Sequence, residues 1–133
     1  MNTLFPVTRM LDAAFNNSWN EGDGSVGRTP RADVLEGEKE FQVLMDLPGV
    51  KHADLDLSIE DQTLWVKAER KESVPEGFEC RRTERAGHVT FSRTFSLGNA
   101  VDASGIEARF ADGVLTISLP KSEKSLPRRI EVK

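Results

Sequence analysis

The sequence predicts an all-β fold, a two-sheet antiparallel sandwich over residues 31–120. Three observations point there. Apolar residues recur with a period of two along this stretch, as in strands that bury one face. Asp61-Gln62 and Asp112-Gly113 stand between alternating runs, where a two-residue hairpin turn is expected. Six or seven short runs follow one another with almost no helical periodicity between them, which favours two packed sheets over an α/β arrangement.

Each run has its own pattern. Phe41, Val43 and Met45 share one face of a strand that runs into Leu47-Pro48-Gly49. Leu55, Leu57 and Ile59 alternate with Asp54, Asp56, Ser58 and Glu60, giving one apolar and one polar face. After the Asp61-Gln62 turn come Leu64, Val66 and Ala68, with Trp65 and Lys67 on the other side. Val89, Phe91 and Phe95 lie in the next run, and Ile106, Ala108 and Phe110 in the one after it. Asp112-Gly113 then turns the chain into Leu115, Ile117 and Leu119, opposite Thr116 and Ser118.

Before the sandwich lie an arm and a linker, residues 1–30. Leu4, Val7, Leu11, Ala14 and Phe15 recur at three- and four-residue steps and Trp19 continues the stripe, which predicts a short helix. Phe5 and Met10 widen its apolar face, and Pro6 falls in the first turn, where a missing N–H is harmless. A helix of this length is marginal alone in water, so it needs a partner surface, either on its own domain or on another molecule. Asn20 to Pro30 holds three glycines and no apolar period and reads as a linker. Gly22, Gly27, Arg28 and Thr29 only mimic a phosphate loop, because a polar stretch precedes them, Arg replaces Lys and Pro30 follows at once.

Between Arg70 and His88 the alternation breaks into a charged stretch with Pro75, Gly77 and Gly87. It is too long for a hairpin turn. Its middle, Phe78 to Thr83, is expected either to be plain surface loop or to form a short strand that pairs with the sheet edge of another subunit. Residues 121–133 form a polar tail until Ile130-Glu131-Val132. Two β-branched apolar residues one position apart project to the same side of an extended segment and suit two adjacent holes of an apolar groove. A last strand folded back on its own sheet is the alternative.

Composition excludes several classes of function. With 18 basic and 22 acidic residues the net charge is −4, whereas a nucleic-acid binder concentrates basic residues against phosphate. The charge is uneven: residues 31–119 carry 11 basic and 17 acidic side chains, residues 120–133 five basic and two acidic. That imbalance reflects solubility alone or a basic tail that docks on an acidic body. Cys80 is the single cysteine, so neither an intrachain disulfide nor a multi-thiolate metal site is available. His52 and His88 stand in turn-like polar surroundings with no metal-ligand spacing. No apolar run approaches the roughly 20 residues needed to span a bilayer, and no secretion signal opens the chain, so a reducing cytoplasm is the expected compartment. No catalytic residues, cofactor or metal site can be singled out, and an enzyme is not expected.

At this point the sequence resembles the small heat shock proteins, the α-crystallin family, in their bacterial and plant form. Pro30-Arg31-Ala32-Asp33-Val34, Asp46-Leu47-Pro48-Gly49-Val50 and Ala111-Asp112-Gly113-Val114-Leu115 carry the resemblance, with Leu119-Pro120-Lys121 behind the last of these. Arg82, Glu84 and Arg85 match a charged motif of the long loop. Phe91, Arg93, Phe95 and Leu97 match the strand that bears the family's arginine, and Ile130-Glu131-Val132 fits the tail motif I-x-I/V. Gly98 departs from the family, which usually has proline after the leucine, and Cys80 replaces a commonly aromatic residue of the exchanged strand.

The resemblance implies an immunoglobulin-like sandwich, the α-crystallin domain, and an ATP-independent holding chaperone that keeps partly unfolded clients from aggregating. It implies a homodimer formed by exchange of the loop strand, with Arg82, Glu84, Arg85 and Arg93 near the interface, and assembly into larger homo-oligomers. The tail anchors Ile130 and Val132 would dock on a neighbouring subunit between the two edge strands, with Leu55, Leu57, Ile106 and Ala108 as groove. Clients would be met by Leu4, Phe5, Met10, Leu11, Phe15 and Trp19, apolar side chains on a tether, among which unbranched Met adapts to irregular partners. A rival binding module that recognises one folded partner would be monomeric and need neither the exchanged loop nor the tail motif.

Overall fold

The computed structural model describes residues 26–123 and 130–132. Its eight strands are β1 (Val26–Arg28), β2 (Ala32–Glu36), β3 (Glu40–Asp46), β4 (Leu55–Glu60), β5 (Thr63–Lys71), β6 (His88–Ser96), β7 (Glu107–Ala111) and β8 (Val114–Pro120). They build two four-stranded sheets, ordered β1-β6-β5-β4 and β2-β3-β8-β7. Every pairing is antiparallel except that of β1 with β6. The helix expected over Leu4 to Trp19 and the first part of the linker lie outside the described residues. The end of that linker differs from expectation: Val26–Arg28 lies along Val89–Phe91 as a parallel strand. Its sequence, Val-Gly-Arg, has no alternation to betray it; the open flank of β6 supplies the pairing.

The period of two does what it should. Phe41, Val43, Met45, Leu64, Val66, Ala68, Val89, Phe91, Phe95, Leu115, Ile117 and Leu119 are buried between the sheets. Leu47, Val50, Leu97 and Val101 close the ends of this core. Both predicted hairpins form. Asp61 and Gln62 sit at φ 52° and 61°, Asp112 and Gly113 at 55° and 77°, the paired positive values of a turn whose twist matches that of the strands it joins.

The link from β1 to β2 fixes how the sheets are superposed. From Arg28 to Ala32 there are four Cα steps, which span at most about 15 Å. Crossing between sheets already uses about 10 Å. A strand on the far flank, three strand spacings away, is out of reach. The link in fact touches both layers: the carbonyl of Pro30 accepts from Arg93 Nη1 of β6 at 3.0 Å, and that of Arg31 from the backbone N–H of Asp46, the end of β3, at 3.1 Å. β1 and β2 therefore share one flank, and the two remaining edge strands, β4 and β7, share the other.

Candidate functional site

The flank formed by β4 and β7 is where the sandwich is incomplete. Residues directly opposite in a pair face the same side. Leu55, Leu57 and Ile59 oppose the buried Ala68, Val66 and Leu64, so all three point between the sheets. Ala108 and Phe110 oppose the buried Ile117 and Leu115 and do the same from the other layer. A central strand in this position would be covered. An edge strand has a neighbour on one side only, and here Leu55 and Leu57 are half-buried while Ile59 remains 39% exposed. Across the gap Ile106 and Phe110 are half-buried and Ala108 is exposed.

The four expected groove residues thus come from β4 and from β7 with the residue just before it, segments about 50 residues apart in sequence that the topology places on one flank. Ile106 is set by the turn before β7. Asp102 accepts from the Ser104 hydroxyl at 2.6 Å and the Ser104 backbone N–H at 3.1 Å, bonds that hold its carboxyl below the ordinary carboxylate range. Its own N–H donates to the Pro120 carbonyl at 2.9 Å, tying this turn to the end of β8. Sequence reasoning named Leu55 and Leu57 but not Ile59 or Phe110, although the same alternation put all of them on the inward face. What it lacked was a measure of how far each is covered.

The tail anchors are extended and uncovered: Ile130 is 81% and Val132 94% exposed. They do not occupy the groove of their own chain. Lys121, at the root of the tail, is held by Glu36 at 2.9 Å and lies over the Phe41 ring at 5.2 Å.

The long loop leaves β5 at Lys71 and returns at His88 with no strand between them. Among the described residues, Phe78 to Thr83 therefore carries no strand pairing. Phe78 is 70% exposed, Val74 is also exposed, and both line a polar excursion with no core of their own. The expected interface residues are not gathered into one cluster. Arg82 pairs with Glu84 at 3.6 Å, both in solvent. Arg85 reaches Glu72 at 3.0 Å at the base of the loop. Arg93 belongs to the inward row of β6, opposite Val66, with its guanidinium 5.3 Å from the centre of the Phe95 ring and a bond to the Pro30 carbonyl.

Sequence reasoning missed the residue that organises the loop base. Arg70 follows Leu64, Val66 and Ala68 in the inward row of β5 and is buried. It donates through Nη1 to the Pro48 carbonyl at 3.1 Å and through Nη2 to the Arg85 carbonyl, and its Nε lies 3.6 Å from Glu72. One side chain thereby ties the Pro48-Gly49 turn to both ends of the loop. The available signal was an arginine in register with three inward-facing apolar residues.

The apolar arm residues Leu4, Phe5, Met10, Leu11, Phe15 and Trp19 lie outside the described residues. His52 is exposed in the connection before β4, and His88 lies 3.7 Å from Glu69 on the sheet surface. Among the described residues no three metal-ligating side chains gather, and no helix is long and apolar enough to cross a membrane.

This architecture has close counterparts. Residues 33–133 match the Hsp20/alpha crystallin family. The "18 kDa antigen 2" of Mycobacterium avium is 44% identical over 132 residues, covering 99% of this chain and 79% of its own. Small heat shock protein C4 of Rickettsia felis is 31% identical over 130 residues, 92% of this chain and 80% of its own. Among solved structures, heat shock protein 16.0 of Schizosaccharomyces pombe superposes with a TM-score of 0.65 at 32% identity, covering 96% of this chain and 88% of that one. A small heat shock protein from Xylella fastidiosa, whose crystal structure reveals a distinct high order structure, superposes at 0.63 with 38% identity over 78% of this chain and 95% of that one. Members of this group are chaperones and not enzymes. With the sandwich, its two open edges and the match over residues 33–133 in hand, the chain belongs to the Hsp20/alpha crystallin family of small heat shock proteins.

Proposed function

We propose that this protein is an ATP-independent holdase, which binds partly unfolded proteins under stress and keeps them from aggregating. The observation that carries the reading is family membership across residues 33–133. The structure supplies physical means for it: inward-facing apolar residues on two edge strands left half open, and two apolar tail residues left in solvent. Permanently exposed surface of this kind aggregates, so it must be covered at rest. Docking Ile130 and Val132 of one subunit into the β4–β7 flank of another covers both at once.

The magnitudes suit reversible assembly. Burying two such side chains yields roughly 3–6 kcal/mol gross. The association cost takes up much of it, so each tail holds weakly and a particle holds through several tails together. Heating or dilution then releases subunits by mass action. The loop segment around Phe78, with Arg82, Glu84 and Arg85, would pair with a second subunit near Arg93 to give the dimer, and the arm side chains Leu4, Phe5, Met10, Leu11, Phe15 and Trp19 would meet clients. The cytoplasm is the compartment in which we place this activity.

The test is light scattering of a heat-labile client without ATP. The full chain is expected to suppress the rise in scattering at near-stoichiometric amounts. Deleting residues 1–19 should abolish that protection while the urea unfolding midpoint of the sandwich stays unchanged. No suppression by the full chain would refute the holdase; full suppression by the truncated chain would remove the arm from client binding.

A further inference from the structure

Resting on the reading that the tail of one copy docks beside β4 of another, we propose that charge fixes its register: Ile130 and Val132 cover Leu57 and Ile59 rather than Leu55 and Leu57, and Glu131 lies beside Ser58.

β4 presents two rows along its free edge. The inward row is Leu55, Leu57 and Ile59, the outward row Asp56, Ser58 and Glu60, which oppose Lys67, Trp65 and Thr63 of β5. Among the described residues neither Asp56 nor Glu60 closes an ion pair. The tail reads Arg129, Ile130, Glu131, Val132, Lys133, so that it alternates cation, apolar, anion, apolar, cation. A strand added to β4 must put Ile130 and Val132 on the inward face, which puts Arg129, Glu131 and Lys133 on the outward one.

Two registers then fill two adjacent holes. With Ile130 and Val132 beside Leu57 and Ile59, Glu131 meets the neutral Ser58, while Arg129 and Lys133 fall beside Asp56 and Glu60. Both cations meet anions. Because Arg129 and Lys133 flank Glu131 evenly, the match is the same whether the tail runs parallel or antiparallel to β4. Sliding by two residues, onto Leu55 and Leu57, places Glu131 directly beside Asp56. Like charges in that position are destabilising, and one of the two cations is left beside Ser58. A slide by one residue would turn the apolar pair out to solvent.

Burial agrees with charge. Ile59 is the most exposed of the three inward residues, and the favoured register covers it. Ser58 is thus a specificity-determining position: a gap between two anions, left for the tail's own anion. The occupant is a second copy of this chain, since Ile130 and Val132 stand in solvent here.

The test compares full-length variants in a dilution series read by light scattering. Ile130→Ala with Val132→Ala should disrupt assembly in either register, so unchanged assembly of this variant refutes tail docking itself. Ser58→Asp, a surface change, is expected to raise the dissociation constant roughly two- to fivefold per seated tail at low salt. Glu131→Lys added to Ser58→Asp should restore it, and 0.5 M salt should shrink the difference. Ile59→Ala should weaken assembly more than Leu55→Ala. If the double tail variant dissociates but Ser58→Asp is silent, the register is wrong. Sensitivity to Arg109→Glu instead would place the tail along β7.

Discussion

Arg70 is a cation set among core residues, a position that is costly unless each donor finds a partner. Here the Pro48 and Arg85 carbonyls take two donors, Glu72 sits at 3.6 Å and the Phe91 ring lies 6.0 Å from the guanidinium carbon. Gly49 makes room for it. At φ 78° and with a Cβ that would stand 2.5 Å from Arg70 Cδ, this glycine is needed for its conformation and for the approach of the arginine stem. Gly49→Ala is therefore expected to cost about 1–3 kcal/mol in urea unfolding, from the left-handed backbone and the displaced arginine together. A loss below a few tenths would show that Arg70 moves aside freely and does not fasten the loop base. Pro48-Gly49 was legible in the sequence as a turn. Its dependence on residue 70 was not, because the contact spans 22 positions.

At the scale of elements, the hairpin between β4 and β5 carries a correctable strain. Gln62 occupies φ 61°, where a Cβ costs roughly 1–2 kcal/mol, whereas the other hairpin has Gly113 at the equivalent place. Gln62→Gly gives back about 0.5–1 kcal/mol of this in chain entropy and should still stabilise the domain slightly, by about 0.5–1 kcal/mol. A rise in the urea midpoint at constant slope is the signature, and a fall would mean the Gln62 side chain makes a contact worth more than the strain. Strands with a clean alternation, β3, β5 and β8, were readable residue by residue because the pattern is local. β1 was not, since three residues with a central glycine carry no period and owe their strand form to a neighbour 63 positions away in register, Val89 beside Val26.

For the whole molecule, what the isolated chain leaves uncovered is the guide to assembly. The exposed tail pair, the half-open β4–β7 flank and the strandless loop bearing Phe78 are three surfaces that a second subunit can complete. Ile130→Ala with Val132→Ala should lower the particle mass measured by light scattering, and because both side chains stand in solvent within their own chain, the unfolding midpoint of the domain should stay within error. A mass unchanged by both substitutions would leave the loop and arm as the only means of association. The docking proposed above would also account for the charge division. The basic tail segment lies in sequence beside the apolar pair, and the acids Asp56 and Glu60 lie beside the holes that pair would fill.

The sequence by itself determined strands β3 to β8, their inward faces, both hairpins and the motifs that mark the family, because each depends on neighbours within a few residues. It placed Leu55, Leu57, Ile106 and Ala108 on inward faces for the same reason. Only the tertiary structure decided that β4 and β7 are edges on one flank, that Ile59 is the least covered member of its row, and that Arg70 binds the ends of a 16-residue excursion, residues 72–87, to the Pro48 turn. Edge and centre are properties of the pairing order. That order is set by a link too short to cross the sheet and by contacts between residues far apart in the chain, and no local period encodes either.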